Sequence, residues 1–152
     1  MQEHIQAHDS LSTAEELLVS ITGIGQTTAM SLLAEMGDFS RFKSARQLAA
    51  FAGLTPQDRT SGTSITGKTR LCKIGNSFLR KALYFSAISA SRHCPVIRAF
   101  YNRLIAAGKP KMQALGAVMH KLIRIVYGAL KSGQPFKPEL LLSCNTPAPV
   151  TS

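Results

Sequence analysis

LLVSITGIGQTTAMSLLAEMG, residues Leu17 to Gly37, places two apolar helical segments on either side of a glycine-punctuated turn. Thr13, ahead of Glu15 and Glu16, is positioned to cap a short first helix that ends near Ser20. Gly23 and Gly25 bracket Ile24, which allows a sharp hairpin through backbone dihedrals that side-chain-bearing residues avoid. A second helix is expected from Gln26 to Met36, with Ala29, Leu32, Leu33 and Met36 on one side. The N–H groups of its first turn have no partner inside the helix. With the hairpin's own amides and the helix dipole they form a seat for phosphate, and no large side chain blocks the approach of a strand. Ile24 is expected to fill the small core between the two helices.

Working outward, Ser44 caps the short helix ARQLAAFA and Gly53 ends it at the C′ position. Leu48, Ala49 and Phe51 supply its apolar contacts, and Arg46 projects outward. From Leu54 to Gly75 the helical period disappears. Gly62, Gly67 and Gly75 punctuate a hydroxyl-rich, cationic connection containing RTSGTSITG, Arg59 to Gly67. That is long for a loop inside one domain, so it is expected to be functional or disordered, although a short hairpin around Ser64 to Leu71 would shorten it. Asn76 then caps a helix running to about Arg92, in which Phe78, Leu79, Ala82, Leu83 and Phe85 suit burial and Ser86 is small enough to join them. Pro95 opens the next helix, which carries Phe100 and Leu104 and stops at Gly108. From Pro110 to Lys131 the apolar set Leu115, Val118, Met119, Leu122, Ile123, Val126 and Leu130 repeats at three and four, until Gly133.

The fold class expected is therefore mainly α: a helix-hairpin-helix, then a polar loop, then a small bundle of about three helices. Residues 1–13 are expected to be a flexible N-terminal segment and 138–152 a flexible tail. The domain between them covers 14–137, with the hairpin unit at 14–36, the polar loop at 54–75 and the later helices at 76–133.

With 152 residues and 45% hydrophobic side chains, the chain can bury one moderate core. Charged residues interrupt every stretch of about 18 apolar residues, so no membrane span is expected. MQEHIQAHDS lacks the profile of a secretion signal. Cys72, Cys94 and Cys144 are odd in number and widely spaced, which suggests neither a disulfide framework nor a zinc site and points to a reducing cytoplasm. Charge is asymmetric: residues 1–58 hold three Lys/Arg against seven Asp/Glu, a net of −4, and residues 59–152 hold fifteen against one, a net of +14. A basic half of that size favours a polyanion as partner, because Lys and Arg release counterions condensed on phosphates.

Chemistry is narrowed by what is scarce. A two-metal site needs converging carboxylates, and the basic half has only Glu139; Glu35, Asp38 and Asp58 are explained by helix ends and solvation. No metal site and no cofactor are expected in this chain. His93 beside Cys94, and His120 on the long helix, have no evident carboxylate to orient them for a Ser-His-Asp triad. Cations, by contrast, crowd the serines of the polar loop: Arg59, Lys68, Arg70 and Lys73, then Arg80 and Lys81 on the next helix. They can hold a phosphodiester and stabilise the charge that grows during its displacement, leaving Ser61 or Ser64 to attack phosphorus. Equally, these hydroxyls can be turn residues in a phosphate-binding loop.

The TGIG turn resembles the helix-hairpin-helix motif, whose usual task is gripping the DNA backbone without reading sequence. Gly23, Ile24 and Gly25 match its hairpin, with Gln26, Thr27 and Thr28 opening the second helix. The succession ITGIG, GDFSRFKSARQLAAFAGLTP, SGTSITGKTRLCKIGNSFLRKALY and KLIRIVYGALKSGQPF, over roughly residues 15 to 137, resembles the C-terminal domain of bacterial insertion-sequence transposases. Members pair an N-terminal RNase H-like domain of DEDD-type carboxylates with this serine-bearing domain, and are similar to recombinases guided by a structured bridge RNA. The resemblance implies that Ser61, followed by Gly62, is the nucleophile, with Ser64 as the alternative. It implies DNA contacts at Gly23, Ile24, Gly25, Gln26, Thr27, Arg59, Lys68, Arg70, Lys73, Arg80 and Lys81. It further implies DNA, a guide RNA and the DEDD domain as partners, an oligomer with shared sites, and divalent metal only in that other domain. No counterpart of the DEDD domain lies in these residues, so the chain is expected to be a fragment or isolated domain, inactive in recombination alone. The alternative is a non-catalytic helix-hairpin-helix module that binds DNA or RNA.

Overall fold

Apolar residues recurring at three and four along Lys111–Ser132 produce the longest helix of the protein, and the other helices are arranged around it. The computed structural model describes residues 2–54, 56–57, 70–71 and 76–138, with side chains for 9–54 and 76–138. Along the chain the elements are α1 (Gln2–Val19), α2 (Gln26–Met36), a 3₁₀ turn (Phe39–Arg41), α3 (Ala45–Phe51), strands β1 (Pro56–Gln57) and β2 (Arg70–Leu71), α4 (Ser77–His93), α5 (Pro95–Ala106) and α6 (Lys111–Ser132). The mainly α expectation holds. On α6, Val118, Met119, Leu122, Ile123 and Val126 are buried and Leu115 and Leu130 lie half-buried at the edges. Helices α1, α3, α4 and α5 pack on α6, and α2 joins through α1 and α4. The hairpin unit and the later bundle thus share one core, in which Leu18, Ile21, Ile24 and Leu32 meet Leu83, Leu122 and Val126.

Several ends form as local chemistry dictates. Ser44 Oγ accepts from Gln47 N–H at 3.2 Å, and Asn76 Oδ1 accepts from Leu79 N–H at 3.0 Å, each capping its helix. Pro95 occupies the first turn of α5. Gly133, in the left-handed conformation, closes α6 by donating to the carbonyl of Ala129 at 3.0 Å.

Two expectations require correction. Thr13 is not a cap, because α1 begins at Gln2: its hydroxyl donates back to the carbonyl of Asp9 at 2.9 Å, the habit of a threonine inside a helix. QEHIQAHDSLSTAEELLV contains neither proline nor glycine, so nothing ends the helix on the N-terminal side of Thr13. Phe78 and Phe85 are not core residues; they are 72% and 59% exposed. The buried face of α4 is made by Leu79, Leu83, Ser86, Ala87 and Ala90, and at 100° per residue both phenylalanines lie roughly 120° or more around the helix from its centre.

Candidate nucleic-acid interface

The turn between α1 and α2 is built from two short-range bonds, Ile21 N–H to the carbonyl of Leu18 and Ile24 N–H to that of Ile21, both 3.0 Å. Its two glycines have different physical reasons. Gly23 has φ +99°, and a Cβ placed there would stand 2.7 Å from the carbonyl oxygen of Ser86 and 2.8 Å from the nitrogen of Ala90. It is bare because the turn rests directly on the backbone of α4. Gly25 has φ −85° and ψ 174°, which any residue adopts, and a Cβ there would meet nothing within 4 Å. It is the N-cap of α2, with no side chain bonded to the helix end. The first intrahelical bond is Ala29 N–H to the carbonyl of Gly25 at 2.8 Å, so the amides of Gln26, Thr27 and Thr28 precede it. Gly25, Gln26 and Thr27 are exposed, whereas the side chain of Ile24 is 3% exposed and belongs to the core. Ile24 can therefore offer a ligand only its backbone.

Of the polar loop that follows α3, only parts of its two ends fall among the described residues. Ser61, Ser64, Arg59, Lys68 and Lys73 lie outside the described residues, and Arg70 is described only as backbone in β2. The chain leaves α3 through Gly53, at φ +71°, and the buried Leu54, whose N–H donates to the carbonyl of Ala49 at 2.9 Å. Antiparallel pairing of Pro56 with Leu71 and of Gln57 with Arg70 joins the outgoing and returning arms. Asn76 N–H then donates to the carbonyl of Phe51 at 2.9 Å. Both ends of the loop are thereby fixed at the N-terminus of α4, where Lys81 is exposed and Arg80 half-buried.

A contact that the sequence did not signal stiffens this corner. The side-chain amide of Asn76 donates to Glu35 Oε2 at 2.6 Å, linking the cap of α4 to the last turn of α2 across 41 residues. The cap itself is legible in Asn-Ser-Phe-Leu; its carboxylate partner is not, since no local pattern relates the two positions.

Part of the positive charge serves the fold. The Arg41 guanidinium sits over the rings of Phe42 and Phe51, 4.8 and 4.7 Å from their centroids, and the Lys121 ammonium lies 4.3 Å from that of Phe100. His120 is held below its ordinary value of 6.5, first by burial and then by the Arg124 charge. Asp38 is lowered chiefly by the Ser40 hydroxyl and then by the Ser40 N–H, both of which donate to its Oδ1. Among the described residues no group of three or more His, Cys, Asp or Glu is placed to hold a metal ion. No helix among them is long and apolar enough to cross a membrane.

The model of the transposase IS116/IS110/IS902 family matches residues 15–102, which carry the glycine turn, the polar loop, α4 and most of α5. The chain belongs to this family. It is 37% identical over 133 residues to the pilin gene-inverting protein of Moraxella bovis, covering 87% of this chain and 41% of that one. It is 37% identical over 117 residues to a 43.6 kDa protein of insertion element IS110 from Streptomyces coelicolor, covering 77% and 29%. A probable family 20 transposase of Pseudomonas aeruginosa is 28% identical over 144 residues, covering 91% and 41%. The chain thus spans about 41% of the length of its Moraxella and Pseudomonas relatives.

Proposed function

We propose that this transposase-family chain is the part of a recombinase that holds DNA and supplies the serine that cuts it. The observation that carries the reading is the pinned base of the polar loop: in a transposase-family chain, a segment with two serines and several cations leaves and returns beside Arg80 and Lys81. Ser61 is the nucleophile, with Ser64 as the alternative. Its Oγ–P bond forms as one P–O ester bond of the strand breaks. The serine proton passes to a base, and the departing oxygen leaves as a hydroxyl once protonated. Because one phosphodiester is exchanged for another, the bond energy is retained for rejoining. Arg59, Lys68, Arg70 and Lys73, with Arg80 and Lys81, neutralise the phosphate as charge builds. The exposed, uncapped start of α2 at Gly25, Gln26 and Thr27 grips the backbone nearby, as in a helix-hairpin-helix, with Gly23 and Ile24 holding the turn in place.

The family's DEDD carboxylates are assigned to the length of the relatives that this chain does not cover. A guide RNA and an oligomer with shared sites belong to the same proposal. The test is a covalent trap. A nicked suicide duplex is incubated with the chain, with and without a DEDD domain supplied from a relative. A serine-linked adduct that needs the second domain is expected. Retention of the adduct in Ser61→Ala excludes Ser61, and its retention in the Ser61→Ala/Ser64→Ala pair excludes the nucleophile altogether. The non-catalytic reading, a module that only grips nucleic acid, is favoured by the locality of the Gly25 seat, and it is the one left standing by steep salt-dependent DNA binding with no adduct.

A further inference from the structure

The face of α4 opposite the glycine turn carries Tyr84, Phe85 and Arg92, which the serine chemistry does not use, beside Arg80 and Lys81, which it does. Arg80, Lys81, Tyr84 and Phe85 line a cleft between α4 and the first turns of α6. Arg92, Arg98 and Tyr101 line another between α4 and α5, and Leu115 of α6 borders both. Sharing Leu115 and one side of α4, the two clefts are taken together as one trough. Its α4 positions recur at three and four from Ser77 to Arg92, over roughly 22 Å of helix. No carboxylate is among its described lining residues. Arg98 is anchored over it by donating to the carbonyl of Arg92. Tyr84 meets Phe85 edge to face, with centroids 5.6 Å apart, and holds a ring that is 59% exposed.

From this we infer that the α4 trough binds single-stranded nucleic acid, with Phe85 stacking on a base and Lys81, Arg92 and Arg98 tracking the phosphates. The inference rests on the nucleic-acid reading proposed above but on residues separate from the Gly25 seat. An exposed aromatic ring flanked by cations one or two helical turns away matches an unstacked base between phosphates. A duplex would use the cations and leave the ring idle, because its bases are already stacked on one another. A second copy of the chain is the poorer occupant: the described lining residues of the trough include cations and no carboxylate, so apposing two of them sets like charges together.

The chain contains no tryptophan, so Phe85→Trp installs a single optical reporter at the stacking position. Titration with oligo-dT and oligo-rU is expected to quench it saturably, with the stronger arm distinguishing DNA from RNA, while duplex DNA leaves it unchanged. In the otherwise native chain, Phe85→Ala is expected to weaken single-strand binding by about five- to a hundredfold. Arg92→Ala with Arg98→Ala is expected to lower the log–log salt slope by about 1.4.

The proposal is overturned if neither strand quenches the reporter at concentrations where the anisotropy of the same labelled strand saturates. It is equally overturned if the signal follows protein concentration alone, which assigns the trough to a second copy. Duplex binding that persists in either case keeps the Gly25 seat and removes only the trough, whereas loss of all nucleic-acid binding in the native chain removes both.

Discussion

Gly23 rests its bare α-carbon on Ala90, so that a Cβ there would come within 2.9 Å of the Ala90 Cβ and 2.8 Å of its nitrogen. The residues of α4 beneath the turn are small for the same reason: Ser86, Ala87 and Ala90 are all buried. The turn can thus approach a helix backbone directly, and this fixes the angle at which α2 presents its N-terminus.

Gly23→Ala is expected to destabilise the fold by about 2–4 kcal/mol, combining a positive φ that alanine tolerates poorly with overpacking against immovable backbone. Urea unfolding measures it. A loss below about 0.5 kcal/mol would mean that the turn does not rest on α4.

At Gly25 the outcome is expected to reverse sign. Asp at this N-cap supplies the missing side-chain acceptor and complements the helix dipole, stabilising the fold by a few tenths to about 1 kcal/mol. The same carboxylate occupies the amides of Thr27 and Thr28, so duplex affinity is expected to fall about tenfold, or about 1.4 kcal/mol. Thermal melts and anisotropy on one preparation check both halves; a variant that melts higher and binds DNA unchanged removes Gly25 from the interface.

Asn76 is expected to be costly to truncate because one side chain serves two partners, the Leu79 amide and the Glu35 carboxylate. Asn76→Ala removes a cap and a hydrogen bond to a charged group, at about 2–3 kcal/mol. Asn76→Asp keeps the cap but sets two carboxylates together, so its deficit at pH 7 is expected to shrink as acid protonates one of them. A deficit independent of pH would show that Glu35 is not the partner.

His120 supplies a pH dependence with a definite sign. Its folded value lies below the ordinary 6.5, so the unfolded chain takes up a proton that the folded chain resists. Stability is therefore complete above pH 6.5 and declines as the pH falls through the lower folded value. Melting temperatures between pH 7.5 and 5 are expected to drop for the native chain and to flatten in His120→Gln, which cannot charge. Identical profiles for the two would assign the decline to other groups.

Nearest-neighbour chemistry was legible from the chain alone. Ser44 and Asn76 cap because their oxygens reach amides three residues on, Pro95 starts a helix because its φ is preset, and the three-and-four spacing from Leu115 to Leu130 defines the face of α6. These depend on dihedrals and reach within a few residues, which a sequence states directly. Tertiary structure alone decided which faces are covered. Phe78 and Phe85 look like core by composition, yet they are exposed because α4 turns its small residues inward to meet Gly23. The two glycines of TGIG are alike on paper, and only the position of Ala90 makes one a contact and leaves the other open. The bond from Asn76 to Glu35 joins positions 41 apart, set by where α2 comes to rest against α4; no local periodicity encodes that placement.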